Sequence, residues 1–312
     1  METVAVILCT YNGEVYLKSQ IDSILNQNSI LVEIFARDDG STDRTLEILR
    51  QYGNHYSNFH LMNDGNTCNK GIKKGFMEAL SWAVSYSDNI LYFAFSDQDD
   101  VWLPSKLIKG IEKIRKSTNK NGALYYSNKT VVDENLNVKY KEKLSACNDF
   151  SDFYFVSCAY GCTMIINRKM AALSTQTCSS VSHFHDDWIH RLAICLESDI
   201  IFDNNSYILY RQHGDNACGS FATEDKPLWH LIKRAFEYIL NGKGYERATL
   251  ATDILNHYGF LISEETKEKM KLVAEYKKSF QNKLRLLRKA DISGRAAKER
   301  WIWKVKVVLG YF

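Results

Sequence analysis

With 312 residues, of which 45% are hydrophobic, the chain can bury one large core or one core with a helical appendage. Two prolines and no repeated or low-complexity stretch exclude a solenoid or a flexible-linker array. The formal charge of +3 hides a division, because residues 226–312 carry 19 Lys+Arg against 9 Asp+Glu whereas residues 1–225 carry 21 against 28.

Val4 to Cys9 has the length and β-rich composition of a buried strand and stops at Thr10-Tyr11-Asn12-Gly13. Leu17, Ile21, Ile24 and Leu25 then recur at helical spacing until Asn26-Gln27-Asn28. A second strand, Ile30 to Ala36, ends at Asp38-Asp39-Gly40-Ser41-Thr42-Asp43, where Ser41 or Thr42 is expected to cap a helix over Arg44 to Tyr52. A short strand near Phe59 to Met62 and a helix from Ile72 to Ser85 follow. The third long strand, Ile90 to Phe95, ends at Ser96-Asp97-Gln98-Asp99-Asp100. Pro104 fits the first turn of a helix carrying Leu107, Ile108, Ile111 and Ile114. Strands are expected at Ala123 to Tyr126 and Cys162 to Ile166, helices near Met170 and over Trp188 to Leu196, and closing strands at Ile200 to Phe202 and Tyr207 to Tyr210. From Pro227 onward the pattern is helical and basic. The alternation indicates an α/β, doubly wound, mainly parallel sheet over residues 1–222 with a C-terminal helical extension, 223–312.

In an open α/β sheet, ligands lie outside the carboxyl ends of the strands, so the three polar clusters are expected to share one crevice. Asp97 and Asp99, one residue apart, suit Mg²⁺ or Mn²⁺ carrying a diphosphate, since oxygen ligands match a hard cation. The carboxylates of Asp38-Asp39-Gly40-Ser41-Thr42-Asp43 can accept from a base imino group or a ribose hydroxyl; alone, the cluster reads equally well as a strand-to-helix turn in which Asp38 and Asp43 cap. Tyr11 can stack on a base, and Gly13 admits close backbone approach. No glycine-rich dinucleotide fingerprint follows the first strand, and no phosphate-loop motif occurs in the chain.

The eight cysteines are scattered. The closest pair, Cys158 and Cys162, lacks a second pair or a nearby histidine, so free thiols in a reducing compartment are expected. The start Met1-Glu2-Thr3 lacks the basic region and apolar run of a signal peptide, and no stretch reaches the roughly 20 apolar residues of a membrane span. A cytoplasmic location is expected, with the basic C-terminal region, including Trp229, Trp301 and Trp303, either lying on an anionic inner membrane surface or forming a solvated basic face or oligomer contact with the tryptophans in its core. No nucleic-acid partner is expected.

Five ordered motifs carry a resemblance: Cys9-Thr10-Tyr11-Asn12-Gly13, Arg37 to Asp43, Ser96 to Trp102, His185-Asp186-Asp187-Trp188, and Tyr210-Arg211-Gln212-His213-Gly214-Asp215-Asn216. Over residues 3–220 the chain resembles bacterial family 2 glycosyltransferases with the GT-A fold, in particular the rhamnosyltransferase-like branch. The resemblance implies that Thr10, Tyr11, Asn12, Asp38, Asp39 and Asp97 hold the nucleotide and that Asp99 and Asp97, with His213, meet the metal. It also implies Asp186 as catalytic base, with Arg211, His213 and Trp188 on the diphosphate or acceptor side. Two positions depart from the family pattern. Asp187 stands where the family often has Trp, leaving two adjacent candidate bases, and Gly75 stands where it often has Asn.

The function expected is inverting transfer of a sugar, rhamnose from dTDP-rhamnose first, to a glycan or lipid-linked acceptor in cell-surface polysaccharide synthesis. A UDP-sugar donor (galactose, glucose or N-acetylhexosamine) is the alternative within the fold. Nucleotidyl transfer would want a basic cluster near the first loop, which Thr10 to Glu14 lacks. A non-catalytic sugar-nucleotide or glycan-binding module would tolerate loss of the base or of Asp97 and Asp99, and both are present.

Overall fold

The structure is a computed structural model that describes residues 1–65, 68–151, 159–177, 184–214, 247–289, 292 and 297–310. It divides into two compact units, residues 1–148 with 157–215, and residues 149–156 with 216–312. The expected boundary at residue 222, together with Trp229 and Cys158, lies outside the described residues.

The first unit is built on a nine-stranded sheet: β1 (Thr3–Thr10), β2 (Leu31–Asp38), β3 (Phe59–Leu61), β4 (Tyr92–Ser96), β5 (Val101–Trp102), β6 (Ala123–Val132), β7 (Val138–Lys141), β8 (Ile165–Asn167) and β9 (Asp199–Arg211). The spatial order is β3-β2-β1-β4-β8-β6-β9-β5, with β7 paired to β6. β1, β2, β3 and β4 are mutually parallel, as are β6 and β9, while β8 runs antiparallel to both β4 and β6. The helices are α1 (Leu17–Leu25), α2 (Thr45–His55), α3 (Gly71–Tyr86), α4 (Lys106–Ile114), α5 (Arg168–Thr175) and α6 (His185–Cys195).

β1 is apolar on both faces because both are covered. Val4, Val6 and Leu8 pack with Leu17, Ile21 and Ile24 of α1 and with Leu107 and Ile111 of α4. On the opposite face, β4's Phe95 lies edge-on to Phe76 of α3, ring centroids 6.2 Å apart.

Three local expectations change. Ile200 to Phe202 and Tyr207 to Tyr210 are one thirteen-residue strand. Its register with β6 jumps from Ser127↔Asp203 to Asn128↔Ser206, so the polar Asn204-Asn205 is a bulge within the strand instead of a loop between two. Cys162 and Thr163 lie in a 3₁₀ turn, Gly161–Thr163, ahead of the short β8. Neither Ser41 nor Thr42 caps α2; Asp43 Oδ1 accepts the Thr45 N–H at 3.0 Å, and the Ser41 hydroxyl is engaged elsewhere.

The second unit contains α7 (Arg247–Tyr258), α8 (Glu264–Glu275), α9 (Phe280–Leu287) and α10 (Ala297–Leu309). Ser263 and Ser279 cap α8 and α9, accepting from Thr266 N and Asn282 N. Tyr258, Met270, Tyr276, Leu286, Trp303 and Val307 are buried. Among the described residues, no helix is long and apolar enough to cross a membrane.

Candidate active site

Because β2, β1 and β4 are parallel and in register, with Thr10 opposite Asp38 and Leu8 opposite Ser96, their three polar ends emerge along one edge of the sheet. Hydrogen bonds stitch the emerging loops together. Gln98, from the loop after β4, takes the Tyr11 N–H on Oε1 at 2.8 Å and donates from Nε2 to Tyr11 O at 3.0 Å. The Asn12 N–H donates to Ser41 Oγ at 2.9 Å, and Asn12 Oδ1 accepts from Thr42 N at 2.8 Å. Asn12 adopts a left-handed backbone (φ 50°), which asparagine tolerates better than most residues. A Cβ at Gly13 would lie 2.4 Å from Gln98 Oε1, so a larger residue there would displace Gln98 from its bonds to Tyr11.

The sequence-predicted residues fall into distinct settings. Asp38 is buried and accepts from Thr10 Oγ1, from Ser41 N and Oγ, and from Gly40 N, holding the β1 and β2 ends together. Asp39 receives the N–H groups of Lys70 and Gly71 at the start of α3, each at 2.8 Å, and a guanidinium N–H of Arg37. Arg37 is fully buried and also donates to Glu78 at 3.1 Å and to Cys68 O at 2.9 Å. Tyr11 is half exposed and presents its ring to solvent.

From the other half of the sheet, the end of β9 reaches the same loop after β4. Arg211 donates its backbone N–H to Asp100 Oδ1 at 3.0 Å and its Nε–H to Asp99 O at 2.8 Å, with its guanidinium over the Tyr16 ring. His213 Nε2 lies 2.9 Å from Asp99 Oδ2, and its ring packs on Tyr16 at 5.0 Å. Asp97 and Asp100 share a small region with Cys162, the three ligand atoms all lying within 4.8 Å of one another. Burial, then Asp99 and Asp186, push the Asp97 carboxyl up to about 7. Burial, then Asp99 and Asp97, raise that of Asp100 as well.

Two buried cations moderate this acidic cluster, and sequence reasoning missed both. Lys106 sits over the Trp102 ring at 3.7 Å, and burial lowers its ammonium to about 8. Lys129 is sandwiched between the rings of Tyr160 and Tyr210, at 3.7 and 3.9 Å, and its charge opposes the upward shifts of Asp97 and Asp100. Nothing in a lone Lys at the start of a helix, as Lys106, or within a strand, as Lys129, distinguishes such a residue from a solvated one.

The adjacent acids of α6 separate clearly. Asp187 is paired with the buried Arg191 one turn on, at 2.6 and 2.8 Å. Asp186 accepts from Gly161 N at 3.0 Å and from Asp187 N at 2.7 Å, and its charge is felt at Asp97. His185 is stacked on Phe76 at 3.9 Å, and burial lowers its imidazole to about 4. Trp188 is turned into the packing, 3% exposed, with its indole N–H on Ser174 O at 3.0 Å. The structure therefore gathers Asp97, Asp99, Arg211 and His213 at the loop after β4, with Asp186 within electrostatic reach. Thr10, Asp38 and Asp39 form the adjoining wall, while Trp188 of α6 is buried against Ser174, away from the expected acceptor side.

A parallel half that ends in linked acidic loops, joined to a mixed half that returns an arginine and a histidine to them, defines a glycosyltransferase of GT-A architecture. The chain belongs to glycosyl transferase family 2, whose family model matches residues 5–172. It is 28% identical over 221 residues to the dTDP-rhamnosyl transferase RfbG of Shigella flexneri, a match covering 68% of this chain and 74% of that protein. An uncharacterized glycosyltransferase of Rickettsia typhi is 29% identical over 225 residues, spanning 67% of this chain and 64% of the relative. Among solved structures, S. aureus TarS 1–349 in complex with UDP-GlcNAc superposes over 100% of this chain and 82% of its own, with a TM-score of 0.55 at 15% identity. At that identity the likeness carries the fold.

Proposed function

We propose that this chain is an inverting, metal-dependent glycosyltransferase that moves rhamnose from dTDP-rhamnose to a glycan or lipid-linked acceptor of a cell-surface polysaccharide, working at the inner face of the cell membrane. The similarity to the Shigella dTDP-rhamnosyl transferase supports the donor. The observation that carries the mechanism is the division of labour on α6: Asp187 is consumed by Arg191, while Asp186 lies within electrostatic reach of Asp97.

The donor set fits a hard divalent cation, Mg²⁺ or Mn²⁺. Asp97 and Asp99 supply carboxylate oxygens, His213 an imidazole nitrogen, and Asp100 Oδ2 is a buried oxygen without a hydrogen-bond partner among the described residues. Cys162 is not suited to that cation, because burial and the Asp100 and Asp97 charges push its thiol up and keep it protonated. Bound to Asp97 and Asp99, a divalent cation would neutralise charge on the departing diphosphate.

The protein's own groups do the rest. Thr10, Tyr11, Asn12, Asp38 and Asp39 form the nucleoside wall, Tyr11 by stacking and the others by holding the loop backbones in place. Arg211 holds the loop of Asp99 and Asp100 and adds positive potential on the diphosphate side. Asp186 takes the proton from the acceptor hydroxyl as it attacks the anomeric carbon from the face opposite the leaving group, which inverts the configuration.

A panel of dTDP-, UDP- and GDP-sugars, scored for metal-dependent protection against thermal unfolding, tests the donor. A true donor at about 100 times its Kd stabilises by roughly 2.7 kcal/mol. The account expects dTDP-rhamnose to protect and the others to protect less. Protection by a UDP-sugar alone overturns the choice of donor.

A further inference from the structure

The last 37 residues hold 11 Lys+Arg against 2 Asp+Glu, so nearly all of the C-terminal positive charge sits on and around α9 and α10. These helices also present large apolar side chains outward. On α10, Trp303 and Val307 face inward and are buried, while Trp301, Lys304 and Val308, at i, i+3 and i+7, share the opposite, exposed stripe. Trp301 is 67% exposed, Val308 58% and the adjoining Leu309 51%. On α9, Phe280 and Leu284 form an exposed i, i+4 pair with Phe280 at 74%, while Leu286 is buried. Lys283 of α9 donates to Val308 O at 3.3 Å and ties the two helices together at that end.

An indole, a phenyl ring and aliphatic chains exposed on adjoining helices mark an interaction surface. Exposed Arg285, Arg288, Lys289 and Lys304 lie on or next to the same two helices. Exposed apolar side chains and long-stemmed cations on two adjoining helices suit the boundary between acyl chains and anionic headgroups, where lysine and arginine stems lie along the apolar layer and their charges reach the phosphates. Each such cation near an anionic surface contributes about 1 kcal/mol of attraction, weakened by salt. We infer that the α9–α10 face is a docking surface for an anionic lipid bilayer, with Trp301, Val308, Leu309, Phe280 and Leu284 entering the headgroup boundary. The helix lies on the bilayer, since none of those described can span it. This deepens the membrane part of the proposed function and rests on it, but it requires nothing of the donor or of the transfer chemistry.

The test uses the full chain and vesicles of phosphatidylcholine alone or mixed with phosphatidylglycerol, without donor. The protein is expected to sediment with the mixed vesicles, not with the neutral ones, and to be released as salt rises. Trp301→Ser combined with Val308→Ser, both at exposed positions, should weaken binding by at least about tenfold while leaving the unfolding midpoint and donor protection unchanged. Val138→Ser, an exposed apolar site on β7, should leave binding unaltered. If the double variant unfolds, Trp301→Phe serves instead: binding should persist, while quenching of indole fluorescence by brominated lipid should fall relative to wild type. Failure of the wild type to bind mixed vesicles overturns the inference, as does undiminished binding by the double variant or undiminished quenching in Trp301→Phe. A concentration-dependent oligomer that Trp301→Ser dissociates, without vesicle binding, would assign the face to a second copy of the chain and also overturn it. Donor protection is read separately, so loss of one result does not imply loss of the other.

Discussion

Asp187 clasps Arg191 with both carboxylate oxygens, at 2.6 and 2.8 Å, one turn further along the same helix. Arg191 is 1% exposed, so this pairing answers a buried guanidinium that would otherwise have a large desolvation cost. It also distinguishes two carboxylates that the sequence leaves side by side.

Asp187→Asn is therefore expected to act on stability. Removing one partner of a fully buried pair costs about 3–5 kcal/mol. Asp187 is 22% exposed, and solvent screening brings the expectation down to about 2–3 kcal/mol. Chemical or thermal unfolding measures it. An unchanged midpoint would contradict the structural role, and a turnover loss in the fully folded variant would point to Asp187 as the base.

Asp99→Asn should abolish metal-dependent protection by the donor, because it removes the carboxylate that faces His213 and stands beside Asp97. Thermal unfolding with donor, with and without a chelator, reads this directly. Equal protection by the donor in excess chelator would remove the metal from the account.

Gly161→Ala probes the support beneath Asp186. The new Cβ would lie 2.3 Å from His185 Nε2, and the same glycine donates its N–H to Asp186 Oδ2. Overpacking of this kind costs about 1–3 kcal/mol, and displacement of Asp186 should lower turnover while donor binding persists. Wild-type stability and turnover together would show that the contact carries neither role.

Acid should destabilise the fold through two histidines. Burial holds His185 and His190 at about 4 in the folded chain, below the ordinary 6.5. The unfolded state then binds protons that the folded state refuses, so the stabilising contribution is complete above pH 6.5 and is lost as pH falls from 6.5 toward 4. Each histidine contributes a slope of up to about 1.4 kcal/mol per pH unit in that window. His185→Phe, stacked in the same slot against Phe76 and Phe95, should flatten the dependence. An unaltered pH profile in that variant would show that His185 is not responsible.

Much of this arrangement was legible because periodicity and cluster position are local signals. The apolar runs of β1, β2 and β4 located the strand ends, and parallel register then forced their polar tails together. What stayed hidden depends on pairing at long range. Gln98 reads as filler between two aspartates, yet it bonds to Tyr11 across 87 residues. Arg37 opens the second cluster as an ordinary charge, yet it is fully buried against Asp39 and Glu78. The bulge at Asn204 and Asn205, after the polar Asp203, imitates a loop because polar residues interrupt a strand that the ladder with β6 keeps whole. Ser41 looks like a helix cap, but its hydroxyl donates to Asp38 and accepts the Asn12 N–H instead.

The central claim is that Asp186 removes the acceptor's proton, and steady-state sugar transfer by Asp186→Asn tests it most directly. A positioned base is worth about 10² to 10⁴ in rate, or roughly 3–5 kcal/mol of barrier. The variant should lose that much turnover at unchanged donor affinity, with inverted stereochemistry in the residual product. Turnover within about twofold of wild type, in a folded protein that binds donor normally, would contradict the account.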